Sequence, residues 1–469
     1  MEERMDTDRS HDIEQFVQEN RDNIIRDIGR VIAVPSVRGE EEENAPYGKE
    51  PRRALEVALS IAEEMGLETG VCDDRMGWAQ ITGESGEKYL ATVTHLDVVP
   101  AGKGWASDPF TLVEKEDYIF GRGVMDDKGP SILCLYALKY LKERNIPLKY
   151  TMKTLFGTAE ETGMEDVDYF LKNQDPPLFA FSPDSDFPVC NGEKGIYQGK
   201  LTATRGCSNI LEFSGGVVAN AVPDRAEAVV RCSIEQLEPQ DGIKLEEQAG
   251  CVKIKAYGIA GHASMPEGTK NAIGVLANYL LDNDVVTEDE ARFLKVICRI
   301  HANYHGRELD LNVEDDRFGR LTIIGGMAGM KDGVLWQNID CRYPEEISSA
   351  EITEKLMEAA GDDAHLEVQT IEEPFYMDAD SEPVQACIRA YNKITGENQE
   401  PFTIGGGTYA RHFPFAVSFG PEHNDRPKPD FVGGIHSANE GVAIFDLMEA
   451  LQIYISAILD LQKLEYNSI

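Results

Sequence analysis

The sequence predicts an α/β fold, a mixed and largely parallel sheet flanked by helices, with a second α+β domain inserted into it. Three observations lead there. Apolar strand-like runs alternate with helix-period segments over residues 1–195. Between 196 and 372 the spacing becomes that of antiparallel strands, and from 373 to 469 the alternation resumes and closes on a long helix. We therefore expect one domain from 1–195 and 373–469, with 196–372 inserted.

The elements follow in order. Residues 12–33 carry apolar side chains at helical spacing and stop before Pro35. Residues 37–50 are a polar loop holding the acidic run Glu40 to Glu43, and 51–66 form a second helix that stops at Gly66. Strands are expected at 78–82, 89–95 and 118–123, the last running into a glycine-rich turn. Residues 129–145 are an amphipathic helix with Pro130 in its first turn, 150–161 a strand and 166–173 a helix. In the inserted part, strands are expected at 196–205, 226–233, 251–258, 321–325, 334–342 and 366–371, with helices at 271–283 and 289–305. Helices at 383–395 and near 441–463 complete the chain.

Composition narrows the function. The chain has 469 residues and a net charge of −38. Such a surface repels phosphate backbones and anionic lipid, so neither nucleic acid nor a membrane is expected as a partner. Nine cysteines are scattered without a CxxC pair, several within apolar runs such as Cys134 and Cys298. They read as buried thiols of a reducing compartment. The first residues hold no apolar core and no run approaches the length of a membrane span, so a cytoplasmic protein is expected.

Five short motifs carry chemistry. His95 ends an apolar strand, and Asp97 lies two residues on, projecting to the same side. An imidazole that binds metal usually gives its other N–H to a carboxylate, a role Asp97 suits; a plain structural His–Asp pair is the alternative. Gly121 to Gly129 (GRGVMDDKG) puts Asp126 and Asp127 just before a helix, where both would also serve as acidic caps. Two carboxylates there argue against a phosphate cradle. Glu160 and Glu161 follow a strand; one carboxylate can bind metal while the other moves a proton, although an isolated Glu pair is usually solvated surface. Asp184 in SPD and His436 in HSANE complete the set. This group of nitrogen and oxygen donors without thiolate suits zinc, cobalt or manganese, and two ions sharing one carboxylate would use this many ligands.

The order of H-x-D, GRGxxDxKG, EE, a lone Asp and HxxNE resembles the dinuclear zinc exopeptidase family. That family includes carboxypeptidase G, aminoacylase, succinyl-diaminopimelate desuccinylase and the PepV-type and Xaa-His bacterial dipeptidases. The resemblance runs over nearly the whole chain and is closest to the PepV type, through HLDVVPAGKGWASDPF, GRGVMDDKGPS, SPDSDFPVCNGEKG and GGGTYAR.

It implies two Zn2+ ions, replaceable by Co2+ or Mn2+. His95 and Asp184 would hold one ion and Glu161 and His436 the other. Asp126 would bridge them, a choice over Asp127 that spacing alone does not make. Asp97 would support His95, and Glu160 would be the general base. The inserted domain would be a lid: His262 in GHAS would bond the scissile carbonyl, Asn220 would lie near the substrate, and Arg342 in NIDCRYP would clamp its terminal carboxylate. Gly406 and Thr408 in the GGGT run would border the substrate on bare backbone.

The implied reaction is hydrolysis of the amide bond of dipeptides or other short peptides, by a lid that opens and closes and a chain that is monomeric. An N-acyl-amino-acid deacylase or desuccinylase would use the same metals, and a non-catalytic relative that binds metal or peptide would have lost a ligand or the base. The loop 421–435 departs from the family in its charge and in an extra His423, which bears on substrate preference and on the entrance to the site.

Overall fold

The structure, a computed structural model, describes residues 2–466, with side chains from Arg9 onward. The chain forms two compact units. The first holds the residues up to Asn191, Met377–Phe402 and the chain from Thr408 on; the second holds Gly192–Tyr376 and Thr403–Gly407.

In the first unit the central strands run in the order 68–72, 76–81, 151–157, 89–95, 179–182, 416–418, 190–193. Strand Tyr89–His95 is parallel to both Thr151–Gly157 and Phe179–Ser182, and Ala416–Ser418 is parallel to Phe179–Ser182. The flanking pairs are antiparallel. This is the mixed sheet expected from the alternation, with three parallel pairs at its centre and antiparallel pairs on either side. All seven residues of Tyr89–His95 are buried, as befits a strand covered on both faces. Helix Lys128–Glu143 packs against Ile444–Leu461, and both bury most of their surface. Because the middle strands are parallel, their C-terminal ends share one edge, where open α/β sheets place ligands. His95 stands at that edge directly beside Gly157.

Several boundaries differ from expectation. The first helix is Glu2–Ile32, and strand Glu68–Cys72 pairs with Met76–Ile81 through a tight turn where Asp73 and Asp74 take positive φ. The run from 118 forms only Tyr118–Phe120, and it joins a small sheet with Val113–Lys115 and Gly441–Ala443 instead of the main one. The strand expected to reach 161 ends at Gly157, and Glu160–Thr162 is a 3-10 turn. The last helix starts at Ile444, since Gly441–Ala443 is strand.

The second unit is an antiparallel sheet in the order 243–248, 251–257, 225–230, 210–215, 328–331, 334–343, 195–203, 364–372, with 322–324 beside 334–343. Alternation sets its core: Gly195–Ala203 reads buried at every second residue. Helices Ala272–Asp282, Glu288–His301 and Ser349–Ala360 complete one apolar core with these strands. Glu288–His301 starts with a capping box of Thr287 and Glu290. Among the described residues, no helix is long and apolar enough to cross a membrane.

Candidate active site

Six motif residues meet at the C-terminal edge of the first unit's sheet. His95 is the last residue of its strand; Glu160 and Glu161 start the turn after Gly157; Asp184 lies just past Ser182. Asp126 precedes helix Lys128–Glu143, and His436 sits in the loop before Gly441–Ala443, with positive φ. Their donor atoms form two groups, His95 with Glu160 and Asp184, and Asp126 with Glu161 and His436, each within 4.8 Å. Asp126 stands between the groups. Its Oδ1 is 3.0 Å from His95 Nε2 and its Oδ2 is 2.9 Å from His436 Nε2. Asp184 Oδ2 is 3.6 Å from His95 Nε2, and Glu161 Oε1 is 3.1 Å from His436 Nε2.

Asp127 is turned away from this cluster. Its Oδ2 accepts the backbone N–H of His95 at 3.0 Å. The two carboxylates that spacing could not tell apart thus do different things. Asp97 also differs from expectation in detail. The His95 Nδ1 contact is to the Asp97 backbone carbonyl at 3.0 Å, and the carboxylate is farther, at 3.4 Å. A carbonyl only accepts, so Nδ1 carries the hydrogen and Nε2 faces Asp126 and Asp184. The Asp97 carboxylate accepts instead the N–H groups of Glu160 and Glu161, both at 3.1 Å.

Burial pushes Glu160 well above the usual carboxylate range, and the charges of Asp184, Glu161 and Asp126 add to it against the pull of His95. Glu161 is pushed up to about 7, first by burial and then by Asp126. Burial alone would depress the two histidines. Their carboxylate neighbours outweigh it, and hold His436 up to about 10 and His95 well above its usual value. Negative charge is in excess here, so without cations protons collect on the cluster. Six close N/O donors in two groups, sharing one carboxylate and short of positive charge, fit a pair of divalent ions.

Residues outside the expected ligand set support the cluster. Glu440, the last residue of HSANE, is buried; it accepts Arg122 Nη1 at 2.5 Å and the N–H groups of Gly123, Met125 and Asp126 at 3.1–3.4 Å. Asp166 accepts from Thr158 N, Ala159 N and the Tyr409 hydroxyl. Glu440 lay within the HSANE motif but was given no role, and Asp166 showed only as an acidic residue at the start of a helix. Thr408 caps the turn Tyr409–His412 and its hydroxyl lies 2.7 Å from that of Ser418. His423 is buried between Phe187 and Tyr391, with Nε2 3.4 Å from Glu449, and Arg426 binds Asp446 and Glu449. These contacts fasten the charged loop to the last helix.

The second unit holds Asn220, His262, Arg342 and Gly406. Asn220 and His262 are drawn together by the short pair Ala221–Val222 and Gly261–His262, and Ala263 N–H bonds the Asn220 carbonyl at 2.9 Å. Ser264 N–H points at His262 Nδ1 at 3.2 Å, with Ser264 Oγ at 2.7 Å. A backbone N–H only donates, so Nδ1 is the acceptor and the hydrogen is on Nε2. Arg342 donates to Asp340 and to the Gly405 carbonyl. A Cβ on Gly405 would lie 2.5 Å from that of Ser264, so glycine is required there.

Fold and site define a metal-handling hydrolase architecture, and comparison with known proteins gives its family. Residues 91–460 match the model described as Peptidase family M20/M25/M40. The protein YtjP of Bacillus subtilis (strain 168) is 31% identical, over 94% of this chain and 98% of its own. The Beta-Ala-Xaa dipeptidase of Lactobacillus delbrueckii subsp. lactis is 30% identical, over 96% and 98%. The crystal structure of human carnosine dipeptidase 1 shares the fold, with a TM-score of 0.60 at 15% identity, covering 97% of this chain and 99% of that one. The chain belongs to the peptidase family M20/M25/M40.

Proposed function

We propose that this protein is a metal-dependent dipeptidase that hydrolyses the amide bond of dipeptides or other short peptides. The observation that carries the reading is the placement of Asp126 between two groups of ligand-type atoms, each within 4.8 Å. The likeness to the Beta-Ala-Xaa dipeptidase supports the dipeptide substrate.

In this reading His95 and Asp184 would hold one ion, Glu161 and His436 the other, and Asp126 would serve both. Two bound divalent ions, which we take to be zinc with cobalt or manganese as substitutes, supply Lewis acidity and an acidified water. Glu160 accepts a proton from the attacking water and passes it to the leaving amine. Its carboxylate oxygen lies within 4.8 Å of the ligand atoms of His95 and Asp184, the placement a general base beside a bound ion requires. Asp97 holds Glu160 and Glu161 by their N–H groups and orients His95 by its carbonyl. His262, with its hydrogen on Nε2, donates to the substrate carbonyl oxygen as charge develops there. Arg342 takes the terminal carboxylate, Asn220 lies against the substrate, and the backbone at Gly406 and Thr408 borders it. Cytoplasmic location and a monomeric state belong to the same proposal; no disulfide joins any of the nine cysteines, which suits a reducing compartment.

Metal analysis coupled to a substrate panel tests the reading. Two metal equivalents with turnover of free dipeptides, and little of N-acyl amino acids, are expected. Turnover of N-acyl amino acids alone would make the protein a deacylase, and a chain that binds metal without hydrolysing either class would refute the enzyme reading.

A further inference from the structure

Strand Val334–Tyr343 places Asn338, Asp340 and Arg342 on one face, since side chains alternate along a strand. Asp340 and Arg342 are both buried, at 1% and 5% exposed. Arg342 Nε donates to Asp340 Oδ1 at 2.7 Å and Nη2 to Oδ2 at 3.2 Å, so one edge of the guanidinium is taken by a two-point bond. Nη1 donates to the Gly405 carbonyl at 3.1 Å. Behind them Gln198, directly opposite Asp340 on the neighbouring strand, donates Nε2 to Asp340 Oδ2 at 2.8 Å.

A guanidinium has five N–H bonds, and three are used here. One hydrogen on each Nη is left over. The charge of Arg342 is already balanced by Asp340, so bare charge is not what remains for a substrate; a directed pair of N–H groups is. Planar two-point recognition of a carboxylate depends on where that pair points. We propose that Asp340, braced by Gln198, is a positioning residue that aims the two remaining N–H groups of Arg342 and so sets the preference for a free carboxylate over a C-terminal amide. This rests on the reading of Arg342 as the carboxylate clamp.

The test uses the metal-loaded full chain, a dipeptide and its C-terminal amide. The parent should prefer the free acid by roughly 10- to 200-fold in kcat/KM, the span of a charge-assisted contact. Asp340→Glu keeps the charge but displaces the fork by about one bond length, and misplacement of that size can cost ~100-fold. It should lower kcat/KM for the acid about 10- to 100-fold, chiefly through KM, and change the amide less than about 2-fold. Gln198→Ala removes only the brace and should lower the acid-to-amide ratio by about 2- to 5-fold, as one neutral hydrogen bond would; it decides the matter if Asp340→Glu does not fold. A purely structural role would depress kcat for acid and amide together. If the folded variants keep the parental ratio while Arg342→Ala abolishes it, the proposal is wrong and the clamp stands. If the parent cleaves acid and amide alike, the clamp falls and the proposal with it.

Discussion

Glu440 offers a sharp test of how the candidate metal cluster is built. Its carboxylate is buried against Arg122, itself 1% exposed, and collects three backbone N–H groups from the turn that carries Asp126. Glu440→Gln keeps the shape and one acceptor oxygen but removes the charge. With that oxygen held by the backbone N–H groups, Arg122 is left with a 3.4 Å contact to the Ala101 carbonyl and the face of Trp105. An arginine cannot escape by losing its proton. Breaking a buried pair from one side costs about 3–5 kcal/mol, and the retained oxygen puts the expectation at the lower end, about 3 kcal/mol. Arg122→Met should cost less. The abandoned Glu440 keeps its N–H donors, and burial already pushes it toward its neutral form. Denaturant midpoints of the two single variants and the double should give Glu440→Gln as the worse single change and a coupling above about 1.5 kcal/mol. Loosening the Asp126 backbone should also weaken metal binding by roughly 10- to 100-fold. A Glu440→Gln variant within about 0.5 kcal/mol of the parent, with unchanged metal affinity, would refute the reasoning.

The other expectations are briefer. Glu160→Gln should retain both metal equivalents and lose turnover by about 10²–10⁴-fold; near-full kcat would take the general base elsewhere. Chelation should abolish activity and zinc, cobalt or manganese restore it; metal counting should show both equivalents impaired in Asp126→Ala and nearly intact in Asp127→Ala, whose carboxylate faces a backbone N–H. His301, partly buried at the end of helix Glu288–His301, has its pKa lowered by burial from 6.5 to about 4 against a weaker opposing contact with Gln337. The unfolded chain therefore takes up the proton first. Its stabilising effect is complete above pH ~6.5 and is lost as pH falls toward ~4, to a total of about 3 kcal/mol. Denaturant midpoints at pH 7 and pH 5 should diverge more for the parent than for His301→Gln, and equal divergence would rule this out.

The fold class was legible because it depends on periodicities that survive in a single chain. The buried strand Tyr89–His95 and the helices Lys128–Glu143 and Ile444–Leu461 announce themselves by apolar pattern and length. The pairing of short pieces was not legible. Tyr118–Phe120 is apolar enough for the main sheet, but its partner is Gly441–Ala443, more than 300 residues on, and no local signal specifies that. Likewise 150–161 reads as one strand, yet Asp97 takes up the N–H groups of Glu160 and Glu161 and the chain turns. The candidate ligands were visible as motifs. Their orientations were not: the choice between Asp126 and Asp127, and the use of the Asp97 carbonyl, depend on contacts across the sheet. His423 drew notice as an extra histidine in a charged loop and proves to be packed between aromatic rings.

These cases share one physical origin. A residue that leaves a strand end to face a ligand leaves N–H groups that the sheet no longer satisfies, and buried N–H groups must find acceptors. In this chain the acceptors are carboxylates. Asp127 serves His95, Asp97 serves Glu160 and Glu161, Glu440 serves Asp126, and Asp166 serves the two residues before Glu160. One carboxylate accepts several bonds, and charge-assisted ones are stronger than neutral ones. The cost appears in their titration: burial first of all pushes Asp127 well above the carboxylate range and Asp166 up to about 6. Part of the acidity of a chain with net charge −38 is therefore interior scaffolding and not solvated surface. It also follows why paired acids in a motif are ambiguous. In Asp126-Asp127 one carboxylate faces the space between the histidines and the other faces the backbone N–H of His95. Both are buried and both are acidic, so composition and spacing treat them alike, and only the direction of the neighbouring N–H groups separates the ligand from its support.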